Sequence, residues 1–226
     1  MSKTLSHSQA RRVYDLIGPL LDTQAWYEDG AIADLLAHLE LGDARAVVEL
    51  GTGTGRLAER MLDGLLPREA TYLGYDVSRR MVATARKRLH RWVPRAEVRL
   101  SNGPIHVDLP DRSADLFVST YVFDLLSADD IATALAEAHR VLRDDGRLAL
   151  ISLAPGRSLP ERAVMGLWSR VQSVWPSLIA GCRPIELQAQ LEPARWRVDH
   201  AATVGKLGVV SEVVIATPRR DGGGAA

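Results

Sequence analysis

An acid and three glycines stand together in VVELGTGTGRLAER, residues 47–60, where Glu49, Gly51, Gly53 and Gly55 follow a short apolar run and precede a helical pattern. A turn that brings backbone N–H groups close to a ligand needs residues without Cβ, because a side chain would clash or forbid positive φ. Such turns between a strand and a helix cradle several kinds of nucleoside-containing ligand, each with its own residue pattern. The dinucleotide pattern G-x-G-x-x-G requires a third glycine where Arg56 stands, counting from Gly51, or where Ala58 stands, counting from Gly53. A phosphate-binding P-loop requires Gly-Lys-Ser/Thr, a triplet this chain does not contain. What is left is acid-x-G-x-G-x-G. A second acid, Asp76, closes the next apolar run, TYLGYD, and a carboxylate can accept two hydrogen bonds from a vicinal diol. Taken singly, the turn is a tight connection and Asp76 an acid at a helix start.

The elements that must position these residues alternate between short β-rich runs and longer helical patterns from Ala44 to Ser152, the signature of βαβ units and a parallel sheet. Strands are predicted at 46–50, 71–76, 97–100, 115–120 and 147–152, with RVDHAAT and SEVVIAT forming a closing hairpin across residues 204–210. Ser78 opens a helix whose Met81, Val82, Ala85, Leu89 and Trp92 share one side, with arginines on the other. Ser127 caps a second helix, which Gly146 is expected to end. Further helical stretches are read at 161–175 and 185–191, and AWYEDGAIADLLAHLEL gives a helical arm ahead of the sheet. The expected architecture is α/β: a doubly wound, seven-stranded, mostly parallel sheet with an antiparallel C-terminal hairpin strand, helices on both faces and an N-terminal helical cap. Residues 1–42 form the cap or lid, 43–218 the ligand-binding domain, and 219–226 a disordered tail.

Charge is balanced, with 28 basic and 28 acidic residues, so no overall field gathers nucleic acid or anionic membrane. The basic run from Arg79 to Arg99 reads as a solvated helix face, with docking to lipid head groups left open. One cysteine, Cys182, makes neither a disulfide nor a Cys-rich metal site, and no metal is expected. MSKTLSHSQARR lacks the apolar core of a signal peptide and no run spans a membrane, so a soluble cytoplasmic protein is expected, as monomer or homodimer.

The acid-x-G-x-G-x-G turn, Asp76, and the later runs ADLFVST and RVLRDDGRLALIS together resemble the Rossmann-like (class I) S-adenosylmethionine-dependent methyltransferases over most of the chain. The resemblance implies S-adenosyl-L-methionine as cofactor. It puts Glu49 near the methionine moiety, Gly51, Thr52, Gly53 and Gly55 beneath the cofactor, and Asp76 on the ribose hydroxyls. Val77 and Met81 flank the adenine, Asn102 and Gly103 occupy the loop that contacts its amine, and Ser119 belongs to the fourth strand beside the cofactor. Asn102 departs from the family, in which aspartate is frequent. RRVYDLIGPLLDTQAWYEDGAI resembles the opening of the quinone-biosynthesis and phosphatidylethanolamine N-methyltransferase type, which implies Tyr14 at the methionine end and Trp26 and Tyr27 closing the pocket.

Methyl transfer from a sulfonium is an in-line displacement that depends chiefly on positioning in a dry pocket. The acceptor is expected to be a small or lipid-linked molecule, an amine slightly favoured over a quinone or phenol. Tyr121 and Phe123 lie past the fourth strand, where open α/β sheets place ligands, and aromatic walls suit a methylated ammonium. No catalytic residue is assigned; His106 and Tyr121 are the weak candidates, ahead of His139 and His200. An RNA or protein methyltransferase, and a non-catalytic cofactor-binding module, are the alternatives.

Overall fold

The computed structural model describes residues 25–101, 105–174 and 182–220. Tyr14, Asn102, Gly103 and the last six residues of the tail lie outside the described residues.

The described chain runs α1 (Ala25–His38), β1 (Ala46–Leu50), α2 (Arg56–Leu62), β2 (Thr71–Asp76), α3 (Arg79–Leu89), β3 (Ala96–Leu100), β4 (Ala114–Thr120), α4 (Ala128–Val141), β5 (Leu142–Leu153), α5 (Leu159–Val174), β6 (Trp196–Lys206) and β7 (Val209–Pro218). Among the described residues the strands form one seven-stranded sheet of order β3-β2-β1-β4-β5-β7-β6. The first five strands are parallel and β7 is antiparallel to both β5 and β6, as the alternation and the closing hairpin predict. Strand side chains alternate between faces. Val47 therefore joins Leu57, Met61, Val82 and Leu89 on the face covered by α1, α2 and α3. Val48 joins Ile131, Leu135 and Val141 beneath α4 on the other.

Ser78 and Ser127 cap α3 and α4 by accepting hydrogen bonds from the Met81 and Asp130 backbone N–H groups. On the inner face of α3, Met81, Val82, Ala85 and Leu89 are buried as read, whereas Trp92 falls past the helix end in a 3₁₀ turn and is only half-buried. In the basic run, Arg86 donates to the Val98 carbonyl and Arg88 joins Thr54 and Glu59 from α3, Arg91 pairs with Asp63 from the turn after it, and Arg99 pairs with Glu97 and Asp108 from β3. No helix among the described residues is long and apolar enough to cross a membrane.

Four details differ from the sequence reading. First, α4 ends at Val141, and β5 begins directly at Leu142, whose backbone is already extended and which pairs with Ala114. Gly146 sits inside β5 near a register shift, where an added Cβ would lie 3.1 Å from the Ala114 carbonyl oxygen; it permits a close approach and does not end the helix. Second, the hairpin connection shrinks to Leu207 and Gly208, with φ of 51° and 85°. Both are the positive angles of a tight two-residue turn. Third, residues 185–191 contain only a single 3₁₀ turn, Gln188–Gln190. Fourth, Arg219 and Arg220 are bound: Arg219 N–H donates to the Arg195 carbonyl, and the Arg220 guanidinium to the carbonyls of His139 and Leu142.

The helical arm α1 packs its inner residues Ala31, Ile32 and Leu35 into the core with Ile151, Val213 and Ile215. Its first turn, carrying Trp26 and Tyr27, is the part that reaches the carboxyl ends of the central strands, where Tyr27 meets Tyr121.

Candidate functional site

Where β1 ends, the chain turns through Gly51, Gly53 and Gly55 at φ of 80°, 54° and 80°, all in the left-handed region. Gly51 is needed twice over, since a Cβ there would also lie 2.1 Å from a methyl of Val122. Gly53 has open space around it and is required by its φ alone. The turn is held against β2: the N–H groups of Gly51 and Thr52 donate to the Tyr75 carbonyl at 2.8 and 3.0 Å, and Gly53 N–H donates to Oδ2 of Asp76 at 2.8 Å. Ser78 N–H donates to the other carboxylate oxygen, also at 2.8 Å. Asp76 is thus fixed in orientation yet remains partly exposed, and a carboxylate oxygen holding one donor can accept another.

Beneath the turn lies a buried polar chain. Thr52 Oγ1 is 3.1 Å from the Tyr72 hydroxyl, which donates to Glu49 Oε2 at 2.5 Å. Register explains the assembly: Glu49 faces Gly74 across β1 and β2, and a Cβ on Gly74 would lie 2.1 Å from Thr52 Oγ1 and 2.6 Å from the Tyr72 hydroxyl. Burial pushes the Glu49 carboxyl up to about 8, opposed by the Tyr72 hydrogen bond and reinforced by the nearby Asp76 charge. Tyr72 and Gly74 carry no motif of their own; the signal was a glycine inside a β pattern, which marks close approach of a neighbour. Ser119 is fully buried and donates to the Leu50 carbonyl at 2.9 Å, fastening β4 to the end of β1. Val77 is half-buried and Met81 is buried.

Beyond β4 an aromatic wall rises. Tyr121 has φ of 55°, donates its N–H to the Ile151 carbonyl, and places its hydroxyl 2.9 Å from Ser211 Oγ. Tyr27 meets Tyr121 edge to face at 5.7 Å between ring centroids, and Trp26 meets Tyr27 in the same way at 5.3 Å. Edge-to-face contact sets the positive rim of one ring against the negative face of the next. Burial holds the phenols of Tyr27 and Tyr121 well above their usual range. Trp26 is 44% exposed. A cavity of about 950 Å³ is lined by Ala154 and Met165, which pack in one cluster with Tyr27 and Tyr121, and by Arg162, Glu186, Gln188 and Glu212 on its other sides.

Two sequence candidates stand apart from this wall. Phe123 is 1% exposed and packs with Val48, Phe117 and Ile131 in the core beneath α4, because the turn after β4 points it inward. His106 is an exposed partner of Glu137, with Nδ1 3.1 Å from Oε2. Glu137 lies far along α4 from its Ser127 cap. At a rise of about 1.5 Å per residue the separation is roughly 15 Å, so His106 sits far down the flank of the sheet. His139 and His200 are likewise elsewhere, the first against Trp196 and the second bonded to Asp34. Sequence reasoning passed over Asp124, fully buried behind Tyr121; an acid inside the otherwise apolar YVFDLL was its signal.

Residues 47–146 match the family model described as Methyltransferase domain. The chain is 31% identical over 169 residues to trans-aconitate 2-methyltransferase of Azoarcus sp., covering 75% of this chain and 60% of that protein. It is 32% identical over 177 residues to demethylmenaquinone methyltransferase of Thermotoga maritima, covering 74% of this chain and 68% of that one. The chain thus spans less than two thirds of the length of the first of these relatives. Among solved structures, the [4+2]-cyclase SpnF superposes with a TM-score of 0.71 at 16% identity, covering 96% of this chain and 98% of that one, a likeness of fold. The chain belongs to the class I S-adenosylmethionine-dependent methyltransferases.

Proposed function

We propose that this protein is an S-adenosylmethionine-dependent methyltransferase (EC 2.1.1.-) acting in the cytoplasm, as monomer or homodimer, on a small-molecule or lipid-linked acceptor. The observation that carries the reading is Asp76, oriented by the Gly53 and Ser78 N–H groups and partly exposed at the end of β2, where a carboxylate suits a ribose diol. The bound cofactor supplies an electrophilic methyl group on a sulfonium. Gly51, Thr52, Gly53 and Gly55 form the surface beneath it, Val77 and Met81 the adenine side together with Asn102 and Gly103, and Glu49 and Tyr14 the methionine end. Ser119 fixes the strand beside it. Residues 1–42 act as cap and 43–218 as the binding domain.

Trp26, Tyr27 and Tyr121 form the acceptor wall, with Phe123 packed into the core beneath. Aromatic faces beside acidic groups suit an amine acceptor slightly better than a quinone or phenol, through cation–π attraction. Demethylmenaquinone methyltransferase, named for a quinone, is the relative that keeps the second acceptor class in view. The fold is shared with a [4+2]-cyclase, so it does not by itself supply methyl transfer, and a cofactor-binding protein of other chemistry is the second reading. Calorimetric titration with S-adenosylhomocysteine tests the cofactor; micromolar binding lost in Asp76→Ala is expected, and equal binding by both proteins overturns the assignment. Transfer of label from the methyl donor to a fractionated metabolite and lipid extract separates the two readings.

A further inference from the structure

Asp124 lies just past the carboxyl end of β4, and its side chain is fully buried with neither carboxylate oxygen hydrogen-bonded. The backbone N–H groups of Leu153 and of Asp124 itself lie close enough to favour its charge, without reaching hydrogen-bonding geometry. Arg183 also comes close without closing on it. Its backbone N–H donates to the Asp124 carbonyl at 3.1 Å and its guanidinium to the Leu126 carbonyl at 2.7 Å, while its buried Nε has no partner. A buried carboxylate without a hydrogen-bond donor is costly, and such groups concentrate at functional sites. The groups around it are the Tyr27 and Tyr121 phenols, Glu28, Cys182 and Arg183, drawn from α1, the turn after β4 and the segment preceding β6. Glu28 is itself paired with the Arg56 guanidinium at 3.7 Å, and Arg183 is the cation that faces Asp124.

We propose that Asp124 takes the hydrogen of the methyl acceptor, so that the acceptor presents a hydroxyl, phenol or amine beside Tyr27 and Tyr121, and not a carboxylate. This rests on the cofactor reading above. A carboxylate nucleophile brings no hydrogen to share with Asp124 and meets like charge from its carboxylate. An O–H or N–H group supplies the donor that the buried carboxylate lacks. As the acceptor heteroatom is methylated, its bond to hydrogen breaks and the proton passes to an Asp124 oxygen, leaving a neutral carboxyl that later releases it to solvent. Burial pushes Asp124 up to about 7, where holding a proton for part of a cycle is feasible at neutral pH.

The test uses the full chain saturated with S-adenosylhomocysteine and titrated at pH 8 with 2-phenylethylamine, 4-methylphenol and phenylacetate, followed by NMR shifts. The amine and the phenol are expected to bind at least about tenfold more tightly than phenylacetate, and Asp124→Asn to shrink that preference to roughly twofold. The melting temperature supplies a readout independent of binding. Asp124→Asn and Asp124→Leu are both expected to melt higher than the parent at pH 8, because an uncompensated buried charge is gone. Phenylacetate binding as tightly as the other two, none of the three binding at millimolar concentration, an unchanged preference in Asp124→Asn, or lower melting of both variants overturns the proposal. If the parent chain fails to bind S-adenosylhomocysteine, the cofactor reading falls with it; normal binding with the wrong ranking removes this inference alone.

Discussion

Around the glycine turn, backbone N–H groups find acceptors on β2 and the side chains of Thr52, Tyr72 and Glu49 bond one another. Behind Tyr121 the opposite holds, with the Asp124 carboxylate and the Arg183 Nε buried and unmatched. The first region comes from two adjacent parallel strands and the turn between them. The second is gathered from α1, the end of β4, β7 and the segment before β6. A site assembled from neighbouring backbone is finished before a ligand arrives, whereas one collected from distant side chains leaves polar groups for the ligand to complete.

The largest expected break in this contrast is Asp76→Ala, which removes a charged acceptor from both Gly53 and the proposed diol. S-adenosylhomocysteine affinity should fall by at least about 100-fold by calorimetry, corresponding to roughly 3 kcal/mol for hydrogen bonds to a charged group. Next, Gly51→Ala combines positive φ with a clash against Val122, and should cost about 3 kcal/mol in urea unfolding. Gly53→Ala meets only the φ penalty, and should cost about 1 kcal/mol, so the difference between the two variants measures the clash.

A pH series sharpens the comparison further. Glu49 is raised from 4.5 to about 8 and Asp124 from 3.8 to about 7. For a carboxyl raised on folding, the stabilising contribution is complete below the unfolded value and is lost as pH rises through the folded one. Unfolding free energy should therefore decline between about pH 4 and pH 8 by an amount on the order of a few kcal/mol. Glu49→Gln and Asp124→Asn should each flatten part of that decline, with the Asp124 part ending about one pH unit earlier; a parent curve flat across this window contradicts both. The smallest effect belongs to His106→Ala, which removes an exposed pair with Glu137. Its stability should change by only about 0.5 kcal/mol or less, with cofactor affinity intact.

Much of the finished region was legible in the sequence because its determinants are local. Gly51, Gly53 and Gly55 announce positive φ, and Asp76 stands at the end of a recognisable strand. Tyr72 was harder, since an aromatic residue in a strand is an ordinary core residue until register sets it beside Glu49 and Thr52. The acceptor wall was only half legible. Tyr27 and Tyr121 are far apart in the chain, and nothing local separates Tyr121, which meets Tyr27, from Phe123, which the following turn sends into the core. Gly146 misled because a glycine after a helix usually ends it, whereas here the Leu142 pairing to Ala114 had already done so.

The strand order has a practical outcome for redesign. With β3, β2 and β1 on one flank and β5, β7 and β6 on the other, β4 is the shared member, bearing Ser119 toward the end of β1 and leading into Tyr121 beside β7. The two flanks meet at this strand. Grafting the Tyr121–Leu126 turn and residues 182–187 from a relative should alter which molecule is accepted while leaving nucleoside affinity unchanged, which makes substrate choice a property that can be exchanged piecewise.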